Sequence, residues 1–203
     1  MNFNRRFDPG SRAFRASFPG TPRKAVLRYG KGLMNYGSHL VDLLIDWSGP
    51  IRAVQALGGP EGDGDPALSF RCAMAQGFDA VALGFSGLAY DQFEAEFYFD
   101  AARLDYLSGG AERRLWRPVA DRIYMGYAHL AEAGGPADVE VVAGFRELYA
   151  ALRDHLAHGV PLAGCGPADA IHGLEVIEAA LHSAGQGGIE VAICRPSTTR
   201  GER

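Results

Sequence analysis

The chain has 203 residues, enough to bury one substantial hydrophobic core, and its 47% hydrophobic and 22% charged residues are typical of a folded globular protein. Its three cysteines form no CxxC pair and favour neither a disulfide framework nor a zinc site, so we expect a reducing, cytoplasmic setting and no bound metal. No apolar run reaches the roughly 18 residues that a membrane helix needs, and we expect no targeting signal. These features argue against secreted disulfide-rich and membrane-spanning classes.

Charge is distributed unevenly along the chain. Residues 1–31 contain eight Lys or Arg and one acid, a net charge of +7, whereas the remainder carries −11. A basic leading segment suits nucleic acid, an anionic ligand or an acidic protein surface. Because no nucleic-acid fold signature accompanies it, we expect no nucleic-acid partner.

The first predicted elements are short. Residues 1–7 are predicted as a strand, and the Asp-Pro-Gly sequence at 8–10 as a turn. Residues 24–29 alternate between apolar and charged side chains, which predicts a half-exposed strand. Residues 35–48 place leucines and a tryptophan at helical spacing, and Gly49 with Pro50 ends that helix.

The middle and the end of the chain predict an α+β fold. Two helices follow the predicted strands, the first with apolar side chains from Val142 to Leu156 and the second beginning at Pro167 with a stripe of Ile171, Leu174, Ile177 and Leu181. Residues 189–193 should form an edge strand. Short Gly-containing links favour hairpins, so we expect an open, mostly antiparallel sheet with helices on one face. The predicted strands are 51–57, 68–76, 78–85, 92–100, 103–107 and 113–119.

The predicted sheet also indicates assembly. Large side chains occupy both sets of alternating positions along the strands, so they would point to both faces of the sheet; examples are Phe78, Phe85, Phe97 and Tyr98. Helices on one face would leave the other face apolar and bare, which is unfavourable in water. The sequence therefore predicts a homo-oligomer, in its simplest form a two-fold dimer, that packs through the open sheet face.

One helix carries a narrow polar stripe. At about 100° per residue, Asn35, His39, Asp42 and Asp46 fall within roughly 60° of one another on an otherwise apolar helix. A histidine at such a helix start, with a hydrogen-bonding residue one turn earlier, suits a general base facing a cleft. The other interpretation is a core helix that shows its one polar face to solvent.

The segment Asn35–Gly49, which reads NYGSHLVDLLIDWSG, resembles a segment of the Gfo/Idh/MocA family of sugar-type oxidoreductases. The resemblance implies that His39 is the catalytic residue that acts on the substrate hydroxyl during hydride transfer. It places Asn35 at a position where many members have Asp, so the imidazole is oriented without a negative charge beside it. Arg28, Tyr29 and Lys31 directly precede this helix, and with Asn35 they would line the pocket for a sugar-like substrate. The alternative for these three residues is solvated charge at the end of a strand.

The resemblance extends over most of the chain. Residues 2–9 are similar to the last strand of the family's Rossmann domain, and residues 168–188 to its closing helix. The resemblance implies three parts of the chain. Residues 1–20 would be a remnant of the last Rossmann strand and a connector, residues 21–194 a C-terminal α+β domain, and residues 195–203 a flexible tail.

The sequence contains no Gly-rich dinucleotide turn and no Glu-Lys-Pro motif. We therefore expect no cofactor in the isolated chain, and NAD or NADP if a separate Rossmann subunit completes it. The chain would then be the substrate-binding and oligomerisation half of an oxidoreductase. The alternatives are a non-catalytic binding or assembly module and a truncated remnant of the family.

Overall fold

The computed structural model describes residues 3–134, 143–162 and 164–193, and these contain one nine-stranded sheet and four α-helices. The helices are α1 (Pro9–Ala16), α2 (Ser38–Ser48), α3 (Ala143–His158) and α4 (Pro167–Gly185). The strands are β1 (Lys24–Tyr29), β2 (Ile51–Ala56), β3 (Phe70–Met74), β4 (Asp79–Gly84), β5 (Phe93–Phe99), β6 (Ala102–Leu107), β7 (Glu112–Ala120), β8 (Ala128–Glu132) and β9 (Glu190–Ala192).

The sheet confirms the predicted α+β class. Its order is β8-β7-β6-β5-β1-β4-β3-β2-β9, and only the central pair of β1 and β4 runs parallel among the described strands. All predicted strands from residue 24 to 119 are present, and β9 lies at the edge as expected. Strand β8 was not predicted, because its side chains are mostly exposed and show no apolar alternation.

One face of the sheet is buried beneath helices α1, α2 and α4. On β1 the buried side chains are Ala25, Leu27 and Tyr29, and their neighbours in sequence are partly exposed. Phe14 of α1 is fully buried, and its ring lies 5.1 Å from the Trp47 ring. The alternation of burial with a period of two is what a sheet covered on one side requires.

The first residues differ from the prediction. Residues 4–7 form a short 3-10 helix instead of a strand, and Asp-Pro-Gly begins α1 instead of making a turn. Asp8 caps α1 by accepting a hydrogen bond from the Ser11 amide at 2.7 Å, and Pro9 occupies the first turn. An Asp at the N-cap followed by Pro is a helix-start signal that the turn interpretation overlooked.

The stripes predicted for the last two helices are wrong for the most part. Phe145, Tyr149 and Leu156 on α3 are exposed, and Val142 lies outside the described residues. On α4 only Ile177 of the predicted stripe is buried. Helix α4 packs against β2 and α2 instead, through a face of mostly small side chains that includes Gly173, Ala179, Ala180 and Ser183. Small side chains allow this close approach, which apolar periodicity alone does not reveal.

The open sheet face is charged, so the apolar side chains expected there are largely absent. Phe97 lies on the covered face, whereas Arg28 pairs with Glu96, which also accepts a hydrogen bond from Tyr98. On the next strand Asp105 accepts a bond from the Trp116 indole at 2.6 Å. Alternating basic and acidic side chains therefore satisfy one another across the strands. The homo-oligomer was predicted because the open face was expected to be apolar. Since the face is charged, that argument no longer applies, and the homo-oligomer stays a prediction.

A buried ion-pair cluster ties the N-terminal segment to two helices. The Arg6 guanidinium donates to both carboxylate oxygens of Asp42 on α2 at 2.6–3.0 Å and to Asp169 on α4 at 3.0 Å. Asp46 lies 3.6 Å from the same group. Only 7% of the Arg6 side chain and 3% of the Asp42 side chain are exposed. Two members of the predicted polar stripe, Asp42 and Asp46, thus form ion pairs with an arginine.

Arg6→Met is expected to destabilise the fold by about 3–5 kcal/mol, because it leaves the buried Asp42 carboxylate without its partner. Chemical denaturation measures the free energy of unfolding. Arg23→Met is the matched control, since Arg23 pairs with Asp100 in solvent, and there we expect little change. Adding Asp42→Asn to Arg6→Met should restore part of the loss. Equal effects of Arg6→Met and Arg23→Met would contradict the structural role of the cluster.

Candidate functional site

A cavity of about 310 Å³ opens at the N-terminal end of α2. It is bounded by the 3-10 segment before α1, the start of α2, the sheet and the start of α3. Its volume is at the small end of the range for ligand pockets and suits one monosaccharide-sized molecule. The lining residues are Asn4, Arg5, Asp8, Asn35, Tyr36, His39, Phe93, Tyr106, Gly109, Gly110, Gly144 and Phe145.

His39 is the second residue of α2 and is partly buried. Its Nδ1 atom is buried and has no hydrogen-bond partner among the described residues, and the Phe3 ring packs edge-on at 5.3 Å. Burial, together with the positive charge of Arg5, holds the pKa of His39 below its usual value of 6.5. The imidazole is therefore neutral at pH 7 and can accept a proton.

Asn35 lies in a short π-helical turn, Gly32–Gly37, that precedes α2. The Asp65 carboxylate accepts hydrogen bonds from the Met34 amide at 2.8 Å and the Asn35 amide at 2.9 Å. Gly32 has φ +86° and packs directly against Asp65, so a side chain at this position would overlap the carboxylate. The turn therefore fixes Asn35 one helical turn before His39, as the sequence predicted.

The opposite wall comes from the N-terminal segment. The Arg5 guanidinium lies 4.1 Å over the Phe93 ring and donates to the Gly109 carbonyl. Asp8 is almost fully buried, and its Oδ1 atom has no hydrogen-bond partner among the described residues. Sequence reasoning placed neither Arg5 nor Asp8 in the site. The basic excess of residues 1–31 was the available signal, but it could not say which arginine meets a cavity.

The structure separates the other predicted pocket residues from His39. Arg28 lies on the open sheet face with Glu96, and Tyr29 is buried in the core with its hydroxyl 2.6 Å from the Leu68 carbonyl. Lys31 pairs with Asp91 and lines a neighbouring cavity of about 270 Å³. Only Asn35 and His39 of the predicted set line the larger cavity.

The described residues do not fit a dinucleotide. A pyrophosphate site needs a strand, a Gly-rich turn and a helix N-terminus with free amides. Helix α4 follows Gly164 and Gly166, but Pro167 removes an amide donor there, and Asp169 fills its first turn in contact with Arg6. Within the described ranges no group of three or more His, Cys, Asp or Glu side chains could hold a metal ion. None of the helices in those ranges has the length and apolar character to cross a membrane.

No protein-family model and no curated protein matches the chain, whereas solved structures do. An NADPH-dependent oxidoreductase described as putative, from Desulfitobacterium hafniense, is 15% identical with a TM-score of 0.74, over 95% of this chain and 64% of that one. GenD2 of gentamicin A biosynthesis, solved with NAD, is 19% identical with a TM-score of 0.68, over 96% and 63%. A myo-inositol dehydrogenase described as putative, from Sinorhizobium meliloti, is 18% identical with a TM-score of 0.65, over 95% and 64%.

The chain thus spans about 64% of the length of the solved structures that it matches. Identities below 20% establish the fold and leave the activity open. The chain has the fold of the non-Rossmann, C-terminal part of Gfo/Idh/MocA-type oxidoreductases, the family that its histidine segment resembles.

Proposed function

We propose that this chain is the substrate-binding half of an NAD(P)-dependent oxidoreductase that acts on a sugar-like alcohol, with the nucleotide-binding domain supplied by a separate Rossmann chain. The observation that carries the proposal is the cavity at α2, where a neutral histidine has a buried, unpartnered Nδ1 among the described residues. A neutral imidazole carries one unprotonated nitrogen, which can accept a hydrogen bond or a proton from a ligand. In that role His39 takes the proton of the ligand hydroxyl.

The neighbouring side chains suit this proton transfer. The Asn35 amide can orient the hydroxyl. Burial and, after it, the Arg5 cation favour the neutral form of His39, and Arg5 also stabilises the negative charge that develops on the ligand oxygen. The hydride acceptor, NAD or NADP, would belong to the other domain, because the described residues do not fit it. The solved structure described as a myo-inositol dehydrogenase supports an alcohol substrate of this kind, and the one solved with NAD supports a nicotinamide nucleotide as the hydride acceptor.

An exposed apolar surface supports a protein partner beside the cavity. Phe145 on α3 lines the cavity. Together with the exposed side chains of Tyr149, Leu152 and Leu156 it forms an apolar stripe along the helix. Such a stripe is unfavourable in water and marks an interaction surface. A nucleotide-binding chain that packs on α3 would cover the stripe and close the cavity over its ligand.

The second candidate function is a non-catalytic binding or assembly module, favoured because the part of the chain that the structure describes does not fit a dinucleotide. Either function is compatible with a cytoplasmic homo-oligomer that packs through the open sheet face. The face has a few apolar side chains, including Val26 and Val81, between its charged pairs. Paired charges at an interface give specificity more than affinity.

The first test measures ligand binding at His39. We expect millimolar myo-inositol to shift the NMR signals of Asn35 and Gly109, and His39→Ala to weaken binding at least tenfold. Because a protonated imidazole only donates, affinity should be retained at pH 7 and fall as the pH drops through the lowered pKa of His39. His129→Ala, on exposed β8, is the control. Shifts that persist unchanged in His39→Ala would contradict the assignment.

The second test concerns the nucleotide. We expect calorimetric titration of this chain alone with NADH or NADPH to give no measurable binding, because the described residues lack a pyrophosphate site. Micromolar binding by the purified chain would contradict the need for a separate nucleotide-binding domain.

The third test concerns assembly. Light scattering coupled to size-exclusion chromatography should give a mass of twice 21.7 kDa at micromolar concentration. Val81→Lys adds a charge in the middle of the open face and should dissociate the dimer. Tyr149→Lys, on α3, should leave it intact. A monomeric wild type, or a dimer that only Tyr149→Lys dissociates, would overturn this interface.

A further inference from the structure

We propose that Arg5 binds a carboxylate group of the ligand, so that the cavity at α2 selects a hydroxy acid of the sugar-acid class, with its carboxylate at Arg5 and a hydroxyl group at His39. The inference rests on the proposed function, because it concerns the ligand of the same cavity. It adds a negative charge to the expected ligand and assigns the recognition of this charge to one residue. A neutral polyol lacks the group that Arg5 would bind.

Arg5 is partly buried and has no acidic partner within the described ranges. Every other buried or partly buried arginine of those ranges pairs with a carboxylate, and the remaining ones are exposed to solvent. A partly buried cation without an anion is unfavourable, because it loses hydration and gains no opposite charge. Arg5 therefore has room for an anion that the described residues do not supply. The buried or partly buried arginines with a carboxylate partner are Arg6, Arg28, Arg71, Arg103, Arg113 and Arg114.

The free donors of Arg5 lie on one edge of its guanidinium. Nη1 donates to the Gly109 carbonyl, and the guanidinium carbon lies 4.1 Å from the centre of the Phe93 ring, so the group is held from two directions. Nε and Nη2 have no hydrogen-bond partner among the described residues, and both remain accessible. This edge presents two parallel N–H donors, which match the two oxygens of a carboxylate. Arg5, Phe93 and Gly109 all line the cavity, which places the edge at its wall.

The other charged residue that lines the cavity, Asp8, leaves it open to an anion. Oδ1 of Asp8 is buried, and Oδ2 accepts hydrogen bonds from the amide and the hydroxyl of Ser11 at 2.7 and 3.0 Å. Arg113, which is not a lining residue, lies 3.8 Å from Oδ2 and offsets the charge of Asp8. His39 is neutral, because burial and the charge of Arg5 lower its pKa. The accessible charge at the cavity is therefore positive, and it favours a ligand with a negative charge.

A carboxylate fits this site better than a phosphate. Two parallel donors satisfy the two oxygens of a carboxylate, whereas a phosphate has three terminal oxygens and requires further cations or amide donors. Arg5 is the only cationic side chain among the described residues that line the cavity. In a 2-hydroxy acid the carboxylate lies next to the reacting oxygen, so one guanidinium can bind the first and stabilise the negative charge that develops on the second.

Gluconate and glucitol are matched probes, because gluconate carries a carboxylate where glucitol carries a hydroxymethyl group. We expect calorimetric titration to show that the wild type binds gluconate about tenfold more tightly, since hydrogen bonds between charged groups are stronger than neutral ones. Arg5→Met should remove this preference. Arg5→Lys keeps the charge without the parallel donors, so it should retain part of the preference, and it serves if Arg5→Met does not fold.

Arg15→Met is the matched control and should bind both probes like the wild type. Arg15 also lies over a phenylalanine ring, that of Phe18, but it is exposed and does not line the cavity. The same loss of preference in Arg15→Met and Arg5→Met would contradict a direct contact between Arg5 and the carboxylate.

The outcomes separate this inference from the proposed function. Equal affinities of the wild type for gluconate and glucitol, or a full preference for gluconate in both Arg5 variants, would overturn the role of Arg5 and leave His39 as the proposed site. Tighter binding of glucitol 6-phosphate than of gluconate would overturn the choice of a carboxylate. Gluconate binding that depends on Arg5 and is unchanged in His39→Ala would support the anion site and contradict the hydroxyl role of His39. A wild type that binds none of these probes would overturn both proposals.

Discussion

The buried guanidinium of Arg6 is the interaction on which the arrangement of the site depends. It joins the N-terminal segment to Asp42 on α2 and to Asp169 on α4, three parts of the chain that are distant in sequence. Because Arg5 and Asp8 lie close to Arg6 in sequence, fixing this residue also places them at the cavity lined by His39, which lies one turn before Asp42 on the same helix. A buried ion pair contributes little net stability compared with an apolar packing, but it tolerates only one geometry. Here that geometry forms the cavity.

This dependence explains how much of the site could be predicted. The spacing of Asn35 and His39 on a helix is a local property, and both line the cavity. Asp42 and Asp46 share the same stripe, yet they bind Arg6, which a helical projection cannot show because the partner is more than 30 residues away. Arg28 was expected in the pocket because it lies close to His39 in sequence. Side chains on a strand alternate between the two faces of the sheet, and the position of Arg28 on β1 places it on the open face.

The fold was predictable where the periodicity of burial is simple. The bounds of strands β1 to β7 agree closely with those predicted from apolar–polar alternation and from the turn residues between them. The alternation is clear because one face of the sheet is covered and the other is not. Helices α3 and α4 were predicted as elements but with the wrong buried faces. For α4 the buried face combines Val176 and Ile177 with small residues that carry little hydrophobic signal, whereas Ile171, Leu174 and Leu181 of the predicted stripe lie outside it.

The position of the exposed apolar surface bears on what completes the chain. The open sheet face, where a bare hydrophobic layer was expected, is covered by its own charge pairs, whereas exposed apolar side chains line α3 from Phe145 at the cavity to Leu156. The turn between β7 and β8 exposes a second apolar group, which consists of Ile123, Tyr124, Met125 and Tyr127. Asp121 accepts hydrogen bonds from two amides of this turn at 2.7 and 2.9 Å. Backbone that is already hydrogen-bonded loses less conformational entropy when a partner binds. A partner that covers α3 would bury the stripe and the cavity mouth together, so ligand enclosure and subunit association at this surface would be favoured by the same contacts.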